Sequence, residues 1–205
     1  MALVTIIGAG NMGSAIAAVA VAGGNTVQVL ARDAEKAAAV NPQATAGVVG
    51  DAITGDIVVL ALPYGAVAPV LESYAGQLDG KVLVDLTNPL DFSTFDSLVV
   101  APGSSSAAEI AEAVPGASVL KAFNTNFAAT LATGAVGSEK TTVLIAGDDA
   151  DAKAALAAVV DGGGLKAVDA GSLKRAHELE ALGFLQLTLA AAEKTSWTSG
   201  FALAD

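Results

Sequence analysis

The chain has 205 residues, 53% of them apolar and only 15% charged, and its ten Lys plus Arg against twenty-one Asp plus Glu give a formal charge of −11. Such a chain builds one compact globular core, and its negative charge opposes broad binding to nucleic acid or to an anionic membrane surface. The absence of cysteine excludes a disulfide framework and a thiolate metal site. Met1 leads directly into a strand without a secretory signal, and apolar stretches such as Leu182 to Ala192 are short of the roughly 20 residues of a membrane helix. A cytoplasmic protein with no membrane partner is expected.

Short β-branched runs alternate with alanine-rich stretches along the chain, the rhythm of βαβ units. In chain order the pattern predicts a strand at Leu3 to Ile7, a helix at Met12 to Ala22, a strand at Thr26 to Ala31 and a helix at Asp33 to Val40. A strand at Ile57 to Leu62, a helix at Ala66 to Tyr74, a strand at Lys81 to Leu86, a helix at Ser105 to Val114 and a strand at Ser118 to Phe123 follow. Strands at Thr142 to Ala146 and Lys166 to Asp169 flank a helix at Ala150 to Val160, and a long helix runs from about Leu173 to Thr195. The strands are apolar enough to be covered on both faces, as parallel strands are. Gly23-Gly24-Asn25, Leu78-Asp79-Gly80 and Gly162-Gly163-Gly164 stop helices where the chain turns back. Residues Pro89 to Ser104, with two prolines, several serines and two phenylalanines, read as a functional loop. No repeat or shift in composition marks a second domain. The expected class is α/β, a doubly wound and mostly parallel sheet with helices on both faces.

The segment "VTIIGAGNMGSAIA", residues 4 to 17, places Gly8, Gly10 and Gly13 between a predicted strand and a predicted helix. In this Rossmann-type context the three glycines do different things. Gly8 permits the tight turn, Gly10 lets the backbone approach a pyrophosphate, and Gly13 allows close helix-to-strand packing. The helix N-terminus, with Ala9, Asn11 and Met12 around it, offers free N–H groups and a positive dipole end to phosphates. The end of the second strand bears on which dinucleotide binds. An NAD site usually carries an acid there for the ribose 2′-hydroxyl; here "TVQVL" runs into Ala31 and Arg32. Arg32 can grip a 2′-phosphate with its planar fork of donors, and Lys36 lies one helical turn further on. Asp33 suits the N-cap of the following helix. NADP(H) is therefore expected over NAD(H).

In an open α/β sheet ligands lie across the carboxyl ends of the strands. Those ends read Ala61-Leu62-Pro63-Tyr64, Thr87-Asn88-Pro89 and Phe123-Asn124-Thr125-Asn126. The prolines turn the chain away from the sheet, and Asn88 and Asn124 supply amide donors and acceptors. Tyr64, Asn124, Thr125 and Asn126 are taken as the substrate cleft. No zinc motif, nucleophile elbow or paired histidine ligand is present, and the single histidine, His177, suits helix packing or solvent. No residue is assigned as catalytic and no metal is expected. Hydride transfer fits this absence, because a redox cofactor carries the chemistry and the protein aligns it.

The stretches "IGAGNMG", "LARDAEK", "VVLALP", "VDLTNPL", "LKAFNTNFAATL", "AGDDADAK" and "DAGSLKRAHELEALGF" together resemble the NADP oxidoreductase, coenzyme F420-dependent family over nearly the whole chain. The resemblance implies one NAD(P)-binding domain over residues 1–205, with nucleotide contacts at Gly8, Gly10, Asn11, Met12 and Gly13. It implies a 2′-phosphate grip at Ala31, Arg32 and Lys36, and nicotinamide-side contacts at Leu62, Pro63, Asn88 and Ala122 to Asn124; Ala61 and Pro89 adjoin them. It further implies hydride exchange between NADP(H) and coenzyme F420 or a flavin, as in the related reductase domain of six-transmembrane ferric reductases. Two positions depart from the pattern: Ala31 stands where the family usually has Ser, and Asn124 where established deazaflavin reductases tend to have His, a version that resembles the ferric-reductase branch. Family members commonly form homodimers through the C-terminal segment, here residues 172–205, where Trp197 and Phe201 pack either on a partner or within the subunit. Two other readings stay open: a reductase of a small organic substrate, and a non-catalytic NADP(H) sensor.

Overall fold

Along the first strand, β1 (Leu3–Ile7), Val4 and Ile6 enter one hydrophobic core while Ile7 enters another. The same alternation recurs in β4 (Ile57–Leu60), where Ile57 and Val59 join the first core and Val58 and Leu60 the second. Strands apolar on both faces need cover on both, and the computed structural model, which describes residues 1–204, supplies it. The first face is covered by α1 (Asn11–Ala22), α2 (Ala34–Val40), α5 (Ala128–Thr133) and α6 (Ala150–Gly162). The second is covered by α3 (Val67–Ser73), α4 (Ser106–Ala113) and the start of α7 (Ala176–Ala191).

The remaining strands are β2 (Thr26–Ala31), β3 (Thr45–Val48), β5 (Val82–Asp85), β6 (Ser118–Lys121), β7 (Ala135–Val136), β8 (Glu139–Lys140), β9 (Thr142–Gly147) and β10 (Lys166–Gly171). An 8-stranded sheet runs in the order β10-β9-β6-β5-β4-β1-β2-β3. It is parallel except where β6 meets β9, so β9 and β10 run against the rest. The chain moves outward from β1 through β2 to β3, then returns to the other side of β1 with β4. The order therefore reverses between β1 and β4, and a crevice opens at their carboxyl ends. This is the doubly wound Rossmann-type architecture that the sequence predicts.

The differences from the sequence reading are local. Strand β3 has no counterpart among the predicted elements; it is an exposed edge strand, "TAGV", with little apolar signal of its own. Helix α5 and the β7–β8 hairpin fill a stretch with no predicted element. The last helix ends at Ala191 rather than Thr195, because Glu193 takes a left-handed φ of 56° that no α-helix continues through. A tail follows, and Leu203 N–H reaches Thr142 Oγ1 at 3.4 Å. Asp205, the last residue of the expected C-terminal segment, lies outside the described residues. Among the described residues no helix is long and apolar enough to cross a membrane.

Candidate functional site

The glycine loop leaves β1 at the point where the strand order reverses. Gly8 N–H donates to Leu30 O at 2.8 Å, and Gly8 has φ +124°, a left-handed conformation that disfavours side chains. A Cβ on Gly8 would lie 2.1 Å from Ala61 O, and one on Gly13 would lie 2.1 Å from Gly8 O. These two glycines let β1, β4 and α1 meet. Gly10 differs: a Cβ there would have no protein atom within 4 Å. Its backbone faces open space at the N-cap of α1, where no side chain caps the helix and the first turn carries no acid. Unsatisfied N–H groups and the positive dipole end are left to an incoming anion. Residues of this kind fit a dinucleotide pyrophosphate.

At the end of β2, Ala31 is buried while Arg32 and Lys36 are exposed. Asp33 caps α2 by accepting from Glu35 N at 2.9 Å and Lys36 N at 3.4 Å, as its spacing predicts. Asp33 is thereby engaged in capping, and Glu35 in the first turn of α2 is exposed between the two cations.

A cavity of about 430 Å³ begins at Asn11 and Met12 and is lined further by Leu86, Asn88, Phe123, Asn124, Asn126, Phe127, Gly183, Gln186 and Trp197, among others. Its floor is a reciprocal amide pair. Asn88 Nδ2 donates to Asn124 O at 2.8 Å, and Asn124 Nδ2 donates to Asn88 Oδ1 at 2.9 Å and to Leu179 O at 2.8 Å. Gly183 makes room for that pair, since a Cβ there would stand 2.3 Å from Asn88 Oδ1. Phe123, 1% exposed, has φ 63°, an uncommon conformation for a bulky residue and a mark of local strain at the cavity wall. Trp197 packs on Phe127 of its own chain with ring centroids 5.1 Å apart and stays 53% exposed.

The residues expected in the substrate cleft therefore separate. Asn124 and Asn126 line the cavity with Asn11, Met12, Asn88 and Phe123. Thr125 is buried beside them without lining it. Tyr64 is a correction: it lines another cavity, of about 200 Å³, with Val67, Leu71, Ser106 and Ile110. There its hydroxyl donates to Glu109 Oε2 at 2.6 Å, and that bond, with burial, pushes the phenol up to about 12. The chain leaves β4 through Pro63 into a 3₁₀ turn at Tyr64–Ala66, which carries the ring to the α3–α4 side. Ala61 is half-buried against Gly8 and Gly13, Leu62 is half-buried against the second core, Pro63 is exposed, and Pro89 and Ala122 are buried. His177 Nδ1 lies 3.1 Å from Ser104 O, a helix-packing position away from the cavity.

Beneath the amide pair sits a cluster that sequence reasoning missed. Lys121 is fully buried at the end of β6, and its Nζ donates to Asp85 Oδ2 at 2.8 Å, Glu180 Oε1 at 2.7 Å and Thr87 O at 2.5 Å. Glu180 also accepts from Ser106 N at 2.9 Å. Burial pushes the Glu180 carboxyl above its ordinary value, while the Lys121 ammonium pulls it back. The cluster ties α7 to β5, β6 and α4 directly behind Asn88 and Asn124. The only sequence signal is a lysine closing an apolar strand, at a place where polar side chains need buried partners.

The fold and the glycine loop define a Rossmann-type dinucleotide-binding domain. Residues 3–89 match the family described as NADP oxidoreductase, coenzyme F420-dependent. It is 31% identical over 180 residues to the metalloreductase STEAP3 of Rattus norvegicus, covering 87% of this chain. The chain spans only 36% of that relative's length. Among solved structures it resembles a candidate F420-dependent NADP reductase from Arthrobacter sp. FB24 (TM-score 0.85, 27% identity, 98% of this chain and 99% of that one). It also resembles protein SMa0349 from Sinorhizobium meliloti (TM-score 0.76, 32% identity, 84% and 86%).

Proposed function

We propose that this protein transfers hydride between NADP(H) and a second redox ring, coenzyme F420 or a flavin, bound in the amide-floored cavity. The observation that carries the reading is the lining of that cavity: it runs from the glycine loop to Trp197, and none of its lining side chains is titratable. Reduction of a carbonyl or imine needs a positioned proton donor in the transition state. Exchange between two rings needs alignment in a dry, apolar slot, because the cofactor carries the chemistry.

When bound, NADPH supplies a hydride, two electrons with one proton, to the acceptor ring, which takes its second proton from solvent. The chain's residues bind and orient. Gly10 and the α1 N–H groups receive the pyrophosphate, Arg32 and Lys36 receive the 2′-phosphate, and Asn88 with the Ala122–Asn124 turn holds the nicotinamide side. The exposed C-terminal segment is the surface through which two copies associate, and the domain, residues 1–205, is one NAD(P)-binding unit. The names of the Arthrobacter and rat relatives support a redox-ring or metal-linked acceptor over a small organic one.

The test is to follow oxidation of NADPH by the purified protein with F420, FMN, FAD and riboflavin in turn. Turnover with F420 or with a flavin is the expected result. Tight NADPH binding with no turnover by any of the four acceptors would overturn the reading.

A further inference from the structure

The cluster beneath the amide pair carries an unbalanced charge. It holds one ammonium, Lys121, and two carboxylates, Asp85 and Glu180; all three residues are 0% exposed, and among the described residues no other cation pairs with either acid. Each member adjoins the cavity wall. Asp85 precedes Leu86, Lys121 stands two residues before Phe123, and Glu180 lies three before Gly183 on α7, and these three neighbours all line the cavity. Lys121 Nζ donates to Thr87 O, next to Asn88, and Asn124 Nδ2 donates to Leu179 O, next to Glu180. No ionisable side chain lines the cavity, so the protein sets no counter-charge on that side. A buried excess charge is costly, and a cation placed near it lowers the cost. The two forms of the cofactor differ in this property: the oxidised nicotinamide ring is a cation, and the reduced ring is neutral.

We infer that the cluster makes the site favour the oxidised cofactor over the reduced one, through the net negative charge it holds behind Asn88 and Asn124. The inference rests on the placement of the nicotinamide beside those residues. Glu180 sets the size of the preference. Ionised, it leaves the cluster with one net negative charge; protonated, the form that burial favours, it leaves none. The groups that face it are Asp85 from β5, Lys121 from β6 and, from the α3–α4 side, Tyr64 bound to Glu109; the negative charge of Glu180 and Asp85 adds to the rise of that phenol. Strand β9, which also packs on α7, has no ionisable residue. On α7 itself His177 turns to Ser104 O, and Glu178 pairs with Arg175 at the surface, where Glu112 of α4 and Lys174 are also exposed. Asp85 and Lys121 hold the charge in place, and Glu180 acts as the specificity residue.

The experiment measures the dissociation constants of NADP+ and NADPH for the full chain by calorimetry, in steps of pH. Their ratio cancels the 2′-phosphate and its contacts with Arg32 and Lys36, which both forms share. As pH rises above the ordinary carboxyl value of 4.5, NADP+ is expected to gain on NADPH by about tenfold, the scale of one unit charge acting across a side-chain layer at an effective dielectric constant of about 20. Glu180→Gln is expected to keep the low-pH ratio throughout, because the amide accepts from Lys121 and Ser106 and cannot ionise. A purely structural Glu180 would shift both constants together and leave the pH profile of the ratio in place. His177→Asn, which removes the one histidine of the chain, is expected to leave the wild-type profile. A wild-type ratio that is flat with pH, a profile that survives in Glu180→Gln, or one that is lost with His177 would overturn the inference. Any of these alongside rapid reduction of F420 or a flavin would leave the hydride-transfer reading intact. The expected profile without reduction of any acceptor would keep the inference and sink the acceptor assignment.

Discussion

Gly8 and Gly10 stand two residues apart and answer to different demands. The space for a Cβ at Gly8 is taken by Ala61 O at 2.1 Å, and the positive φ adds strain, so Gly8→Ala is expected to cost about 3 kcal/mol or more in urea unfolding. Gly10 has φ −83° and an unobstructed Cβ position. Gly10→Ala is expected to change stability by no more than about 0.5 kcal/mol, yet to weaken NADPH binding about tenfold by calorimetry, a loss of about 1.4 kcal/mol. Unchanged affinity in a folded Gly10→Ala protein would mean that the pyrophosphate does not approach there. Arg32 supports a second expectation. If its guanidinium holds the 2′-phosphate, Arg32→Ala loses about 1.5–3 kcal/mol of NADPH binding and leaves NADH unaffected. Equal losses for both nucleotides would remove the 2′-phosphate role. Both positions are legible in the sequence, because a glycine pattern at a strand-to-helix junction and an arginine after the second strand are local features. The separation of Tyr64 from the cleft is not, because the 3₁₀ turn after Pro63 sets the direction of its ring.

The element that closes the site is α7, and it is held by charge as well as by packing. Lys121 is 36 residues from Asp85 and 59 from Glu180 along the chain, so only the pairing of β5 with β6 and the docking of α7 bring the three together. A raised folded-state pKa means that native Glu180 holds its proton more tightly than the unfolded chain does. Its contribution to stability is therefore full below the ordinary carboxyl value of 4.5 and is lost as pH rises through the folded value. Glu180→Gln keeps an acceptor for Lys121 and Ser106 and cannot ionise. Relative to wild type, this variant is expected to gain stability in denaturant titrations as pH rises above the ordinary carboxyl value of 4.5. Parallel curves for the two proteins would rule out this linkage. The exposed Asp91, Asp149 and Asp169, whose carboxyls are lowered by hydrogen bonds, act in the opposite sense at more acid pH and leave this comparison undisturbed.

At the scale of the whole molecule, the C-terminal segment leaves large apolar side chains in solvent: Leu185, Trp197, Phe201 and Leu203 are 50%, 53%, 44% and 48% exposed. Exposed large apolar side chains suit an interaction surface, and association of two copies through this segment is expected to give twice the chain's mass by light scattering. Leu185→Glu combined with Phe201→Glu should yield a monomer that still binds NADPH; a wild-type monomer would contradict the assignment. The sequence by itself determined the alternation of strands and helices, the two-faced burial of the sheet, the glycine loop and the cation after β2. Each of these is written in neighbouring residues, through periodicity, turn chemistry and charge. Only the tertiary structure decided that Lys121, Asp85 and Glu180 form one buried cluster, that Trp197 packs onto Phe127, and that Asn88, Asn124, Asn126 and Gln186 come together around one cavity. Those contacts join segments far apart in the chain, and whether a buried polar group finds a partner depends on the packing of the whole fold.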